Sequence, residues 1–296
     1  MMKLKTSTLL ALSAAVFAIV PFSSSAREYQ WQVVKDGLNK PTGIDAVWNG
    51  VVAFTQLPTP GVGGGENTVS LLNLASGNVT DLSVGEPEPL NIAVGNGGDI
   101  YWTCRTANVI LKYNPEYGKM VFLGDEELMS PTGIDVASNG DVLFTEVPNP
   151  GVFDGNLVSV SNGMTTTTVS DFEPDPTDIV IAKNGYSYWT CKTAGVIVSR
   201  SPAGVVEVML TGLNSPTGIA LNGDGSRLFF TEVPTPGVSG ANGGTNTVME
   251  YDLQTGELSL VAAGFPYPAD ITVAPNGLVY WTCQTAGVIV RGWVKK

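Results

Sequence analysis

Polar and apolar positions follow one short rhythm along most of the chain. Six times a proline leads into a β-branched, apolar stretch: Pro41-Thr42-Gly43-Ile44, Pro89-Leu90-Asn91-Ile92, Pro131-Thr132-Gly133-Ile134, Pro176-Thr177-Asp178-Ile179, Pro216-Thr217-Gly218-Ile219 and Pro268-Ala269-Asp270-Ile271. Each stretch ends in a turn signal, Asn49-Gly50, Asn96-Gly97, Asn139-Gly140, Asn184-Gly185, Asp224-Gly225 or Asn276-Gly277. Asn-Gly between apolar runs predicts a two-residue hairpin of type I′, with positive φ at both central residues. The returning strand is Tyr-Trp-Thr-Cys in the even repeats (Tyr101–Cys104, Tyr188–Cys191, Tyr280–Cys283). In the odd repeats it ends Phe54-Thr55-Gln56, Phe144-Thr145-Glu146 or Phe230-Thr231-Glu232. From proline to strand end is 15 positions in five repeats and 16 in the fifth, so the register is tightly held.

The prolines lie 48, 42, 45, 40 and 52 residues apart. A period in the forties, filled with short strands and turns, predicts an all-β, six-bladed β-propeller. Third and fourth strands follow in most repeats, such as Val196–Arg200 and Val205–Met209. The last repeat stops after its third strand, while an orphan strand, Tyr29–Val34, precedes the first proline. Pairing that orphan into the last blade closes the ring and removes an exposed sheet edge.

Composition narrows the function. Lys3 and Lys5, the apolar run Leu9–Val20 and the small residues Ser24-Ser25-Ala26 read as a signal peptide over residues 1–26, leaving one propeller domain over 27–296 in a secreted or periplasmic protein. The apolar run is too short to span a bilayer. Beyond it stand 13 basic against 27 acidic residues, a formal charge of −14, which disfavours nucleic acid and anionic membranes as partners. There is no histidine, which removes Ser-His and Cys-His nucleophile pairs and the commonest zinc ligand. Cys104, Cys191 and Cys283 fall at one place in the repeat. Ring geometry sets them about 20 Å apart, too far for a disulfide or a shared metal. They read as buried plugs at the blade seams, the other reading being that one of them is a reactive group in the pocket.

Tyr-Trp-Thr-Cys, after a Pro-x-(Gly/Asp/Asn)-Ile strand and an Asn-Gly turn, resembles the YWTD repeat of low-density-lipoprotein-receptor propellers. The layout is also similar to NHL repeats and to gluconolactonase and strictosidine-synthase-like propellers. The resemblance covers all six repeats and implies the fold; its members include protein-binding modules, lactonases and lyases. In the enzymes, acidic and amide residues near the start of the first strand hold a divalent cation over the channel. The nearest equivalents here are Asn91, Asp178 and Asp270, one position later, with calcium the metal implied by hard oxygen ligands.

Odd and even repeats differ together. Odd repeats carry Gly43, Gly133 or Gly218 two residues after the proline, then Gln56, Glu146 or Glu232 at the end of the second strand. A loop follows each: Pro58-Thr59-Pro60-Gly61, Pro148-Asn149-Pro150-Gly151 or Pro234-Thr235-Pro236-Gly237. Even repeats carry Asn91, Asp178 or Asp270 in place of the glycine. The ring is thus three blade pairs in pseudo-threefold symmetry, with these residues on one rim. Inward side chains at Asn91, Asp178 and Asp270 would stand roughly 8 Å apart, suited to a ligand or hydrated cation; capping their own strand starts is the other reading. Gln56, Glu146 and Glu232 read either as ligand groups, with Glu146 or Glu232 as a general base, or as braces for the loops behind them. Three functions result: a binding module taking a small molecule, glycan or protein on the rim, a divalent-metal-dependent hydrolase or lyase at the same mouth, or a structural, extracellular-matrix role without pocket chemistry. Symmetry favours the module, because catalysis needs differentiated groups.

Overall fold

The computed structural model describes residues 27–47, 50–58, 67–124, 128–148, 155–161, 165–234 and 245–295. The leader at 1–26 and most of the three Pro-x-Pro-Gly loops lie outside the described residues. Among the described residues twenty-four strands form six four-stranded antiparallel sheets around a central channel. The inner strands are Pro41–Val47, Pro89–Val94, Pro131–Val136, Pro176–Ile181, Pro216–Leu221 and Pro268–Val273, each beginning at its proline. In blade 6 the strand order runs from the channel outward through Val279–Cys283 and Val288–Val294 to Tyr29–Lys35, so the N-terminal strand closes the ring. Tyr29 reinforces the closure by donating its hydroxyl to Glu250 of blade 5.

The Asn-Gly hairpins differ from the type I′ expectation. Gly140 N–H donates to Ala137 O at 2.9 Å and Ala137 N–H to Asp141 O at 2.8 Å, and Gly140 alone of that loop has positive φ, at 89°. Blades 4 and 6 repeat this pattern through Gly185 and Gly277, and blade 2 through Gly98. These are three-residue loops, a type I turn closed by one left-handed glycine. The asparagine keeps ordinary φ, and in blades 3, 4 and 6 its side-chain oxygen takes the N–H two residues on.

Burial is organised by seam. Six apolar clusters occupy the six blade junctions, and Trp102, Trp189, Trp281, Phe54, Phe144 and Phe230 are each 0% exposed at the centre of their second strands. The threonine that follows each aromatic is the residue common to all six second strands, and it too is fully buried. Its hydroxyl accepts the N–H two positions after the proline: Thr55 from Gly43 at 2.8 Å, Thr103 from Asn91 at 3.2 Å, Thr190 from Asp178 at 3.2 Å. It also donates across the seam, Thr103 to Thr132 O and Thr190 to Thr217 O at 2.6 Å, and Thr282 to Thr42 O at 2.7 Å. In blades 3 and 5 the hand-over runs through Thr132 and Thr217, each 2.7 Å from its Thr145 or Thr231 partner.

The odd-repeat glycines are a steric requirement. A Cβ on Gly133 would lie 2.5 Å from Asp178 Cα, and one on Gly218 2.6 Å from Asp270 Cα, in both cases backbone of the following blade. Only glycine lets paired inner strands approach so closely. Gly133→Ala and Gly218→Ala should each lower stability by about 1–3 kcal/mol in urea titrations. Gly97→Ala, with no atom within 4 Å of the new Cβ and no positive φ, should be neutral.

Candidate functional site

An inner strand has no neighbour on its channel side, so its N–H groups there need other acceptors. Carboxylates supply them by a fixed rule. Asp178 Oδ1 accepts Ile179 N–H at 2.8 Å and Oδ2 accepts Ile219 N–H of the next blade at 2.7 Å. Asp270 spans Ile271 and Ile44 in the same way at 2.7 and 2.8 Å. Two positions further along, Asp45 spans Ala46 and Val94 at 2.7 Å, and Asp135 spans Val136 and Ile181 at 2.7 and 2.6 Å. Asp45 and Asp135 escaped the sequence reading, although both stand in the Gly-Ile-Asp context of odd repeats.

Asn91, Asp178 and Asp270 meet at the axis, buried to 8%, 4% and 5% exposure. Asn91 Oδ1 accepts Ile92 N–H at 2.7 Å, which turns its amide nitrogen toward the acids, 2.9 Å from Asp178 Oδ1 and 3.5 Å from Asp270 Oδ2. The roughly 8 Å separation expected from ring geometry is therefore corrected to direct contact, because the glycine-mediated approach narrows the channel. Asp178 and Asp270 are within hydrogen-bonding reach of each other. Burial raises Asp178 well above the carboxylate range, with the Asp270 charge adding to it. Burial likewise pushes Asp270 and Asp135 up to about 7 and Asp45 to about 6, against backbone N–H bonds that oppose the shift.

A calcium ion does not fit this trio as it stands. An amide N–H donor faces the point where the cation would sit, and the acids' oxygens already accept backbone N–H groups. Among the described residues no three acidic or thiol groups come together as a metal-ligand set.

Above the trio the channel widens into a mouth of about 320 Å³, and below it lies a chamber of about 130 Å³ lined by all four aspartates. The mouth is walled by Leu57, Leu90, Val147 and four threonines, with Glu88, Arg105, Asp175, Lys192, Tyr267 and Gln284 as its polar corners. Glu88, Asp175 and Tyr267 precede their prolines with φ of 57°, 60° and 58°, and their carbonyls accept the N–H of Arg105, Lys192 and Gln284 at 3.1, 3.0 and 2.9 Å. Left-handed non-glycine residues cost about 1–3 kcal/mol each and hold only where such bonds impose them. Glu88 Oε2 is buried in this wall without a hydrogen-bond partner. These six corner residues were missed by the sequence reading. The signal was present: the residue before each even proline runs Glu, Asp, Tyr, and the residue after each cysteine runs Arg, Lys, Gln.

Gln56, Glu146 and Glu232 stand outside the mouth lining. Glu146 Oε1 accepts Met129 N–H at 2.9 Å, Glu232 bonds Asn214 N–H at 2.7 Å and Thr247 Oγ1 at 2.6 Å, and Gln56 joins Asn39 N–H to Thr68 Oγ1, both at 2.8 Å. Each braces the chain that leads into its blade.

Cys104, Cys191 and Cys283 are free thiols, 0% exposed, opposite the proline rather than the Asp or Asn of their own blades. Glu86 Oε2 accepts Trp102 Nε1 at 3.3 Å and Cys104 Sγ at 3.8 Å; Glu173 repeats this with Trp189 at 3.2 Å and Cys191 at 3.6 Å. In blade 6 Phe265 takes that place edge-on to Trp281, whose Nε1 is left unpartnered. Burial pushes Cys283 up to about 12, and burial with the adjacent glutamate charge raises the other two further.

Known structures share the fold at low identity. The chain is similar to a gluconolactonase from Xanthomonas campestris (TM-score 0.73, 14% identity, covering 91% of this chain and 92% of that one). It is also similar to the calcium-binding protein regucalcin from Agrobacterium tumefaciens (0.69, 12%, 90% and 95%). A third is virginiamycin B lyase from Staphylococcus aureus, a catalytically inactive histidine-to-alanine variant with quinupristin (0.63, 16%, 90% and 100%). No protein-family model and no curated protein matches the chain.

Two outcomes follow from these environments. Aspartates raised in the folded state bind protons that the unfolded chain releases, so their contribution is complete below about pH 4 and is lost as pH rises through about 6 to 7. Tm should fall by roughly 5 °C or more between pH 5 and pH 8, and Asp45→Asn or Asp270→Asn should flatten that slope. Native thiol titration at pH 8 should label none of the three cysteines within minutes, and all three after denaturation.

Proposed function

We propose that the protein is an exported small-molecule-binding propeller whose ligand seats in the mouth above Asn91, Asp178 and Asp270. The observation that carries this reading is a concave site of about 320 Å³ whose walls are apolar and threonine-rich and whose few polar groups converge. Glu88 Oε2, a buried acceptor lacking a donor, supports it from the wall. The floor offers a ligand the Asp178 and Asp270 carboxyls, both raised by burial toward the protonated form. The inactive lyase neighbour differs from its parent by one histidine; this chain contains no histidine, so lyase chemistry resting on that group has no counterpart here.

One observation favours a second reading, catalysis of hydrolysis or elimination. Two carboxyl groups sharing a proton can donate it from one and accept a proton on the other. The corners also break the threefold symmetry that argued against catalysis from the sequence, since acid-base pair, acid with amine, and phenol with amide occupy equivalent places.

Both are tested by one screen. A library of small polar metabolites should contain compounds that raise the Tm of the mature protein, as ligand at 100 times Kd adds about 2.7 kcal/mol, and Ala269→Trp, which fills the mouth, should abolish those shifts. Lactone and ester panels run alongside should show no turnover. Turnover that is lost in Asp178→Asn would replace the binding module by the catalytic reading.

A further inference from the structure

The mouth's three corners are built on one frame but are not equally satisfied. In blade 2 Arg105 Nη2 donates to Glu88 Oε1, so the two charges of the corner pair with each other and only Glu88 Oε2 is left without a donor. In blade 6 the corner is uncharged, and Gln284 Nε2 donates to Thr42 Oγ1 at 3.3 Å. In blade 4 the charges stay apart. Asp175 Oδ2 accepts the Thr193 hydroxyl at 2.9 Å, and among the described residues Lys192 Nζ has no carboxylate within ion-pairing distance. Both side chains line the mouth beside Thr177 and Asp178, and their backbones are joined by the Lys192 N–H bond to Asp175 O.

We propose that this open corner docks the polar head of the ligand, and that the head is a carboxylate with a hydrogen-bond donor on the adjacent carbon, an α-hydroxy or α-amino acid. An ammonium facing a partly enclosed mouth takes an anionic oxygen in a charge-assisted hydrogen bond, stronger than a neutral one. The neighbouring Asp175 carboxylate accepts only, so it selects an O–H or N–H beside that anion. Two adjacent groups of opposite character on the protein are matched by two adjacent groups on the ligand. Simple carboxylates satisfy Lys192 but give Asp175 no donor; amides give Asp175 a donor but offer the ammonium only a neutral acceptor, which binds it more weakly than a carboxylate. Lys192 and Asp175 are then specificity-determining residues, while the apolar wall of Leu57, Leu90 and Val147 receives the remainder of the molecule.

The inference rests on the mouth being the ligand site, and the experiment separates the two. Calorimetric titration of the mature protein uses α-hydroxy and α-amino acids of three to six carbons, with propionate and lactamide as probes lacking one group each. At least one acid should bind saturably, propionate and lactamide at least about tenfold more weakly. Lys192→Met and Asp175→Asn should each weaken the best acid by a similar factor. Lys183→Met, on the opposite face of the ring, should leave it unchanged. The hydroxy and amino series differ only in the donor, and the tighter one identifies it. Equal binding of propionate or lactamide, or an unchanged affinity in Lys192→Met, overturns the proposal. So does binding confined to compounds of another class that Ala269→Trp abolishes, although the mouth then stands as the site. Acid binding that persists in Ala269→Trp overturns the mouth itself.

Discussion

A single hydroxyl per blade, able to accept and donate at once, holds this ring together. The inner strand must bend into the channel at its proline, and there the ladder slips by one residue, leaving the N–H two positions on without a ladder carbonyl. The buried threonine of the second strand takes that N–H and passes its own proton toward a carbonyl of the next blade, directly in four blades and through Thr132 or Thr217 in blades 3 and 5. Valine would fill the same space but could neither accept nor donate, and would leave the inner-strand N–H unpaired at each of six seams. The aromatic next to it packs the seam, yet alternates between Trp and Phe. The threonine does not vary.

The channel follows from that bend. Inner strands brought close at the axis show unpaired N–H groups to a narrow space, and carboxylates that span two blades are a compact way to satisfy them. Removing each of these acids from water favours its neutral form, and the charge of a neighbour adds to the effect at Asp135 and Asp178. The same column that ties blades together therefore holds carboxyls raised toward the protonated form beneath the mouth.

Pseudo-threefold symmetry is kept where structure demands it and dropped where a ligand would touch. Glycine and Asp or Asn alternate without exception on the inner strands, since one must yield space to the other. At the mouth the corresponding residues diverge into a closed ion pair, an open acid and amine, and a neutral phenol and amide. That divergence gives the site an orientation which the frame alone lacks.

Blade number, strand starts, ring closure and the burial of the cysteines were legible in the chain, because each depends on local rules repeated six times: a proline that cannot sit inside a ladder, a turn that needs glycine, a strand that alternates. Asn91, Asp178 and Asp270 could be named as inward-facing for the same reason. Their mutual contact could not be read, since it depends on how far two inner strands approach, and neither could the partners of Asp45 and Asp135, which lie 49 and 46 residues away in the next blade. The hairpin type could not be read because Asn-Gly serves both a two-residue loop with both residues left-handed and a three-residue loop in which only the glycine is. The six corner residues stood in plain view as Glu, Asp, Tyr and Arg, Lys, Gln, but sequence assigns no direction to a side chain. Their aim into one mouth was decided by the left-handed turn before each proline and by the ring that makes three distant segments neighbours.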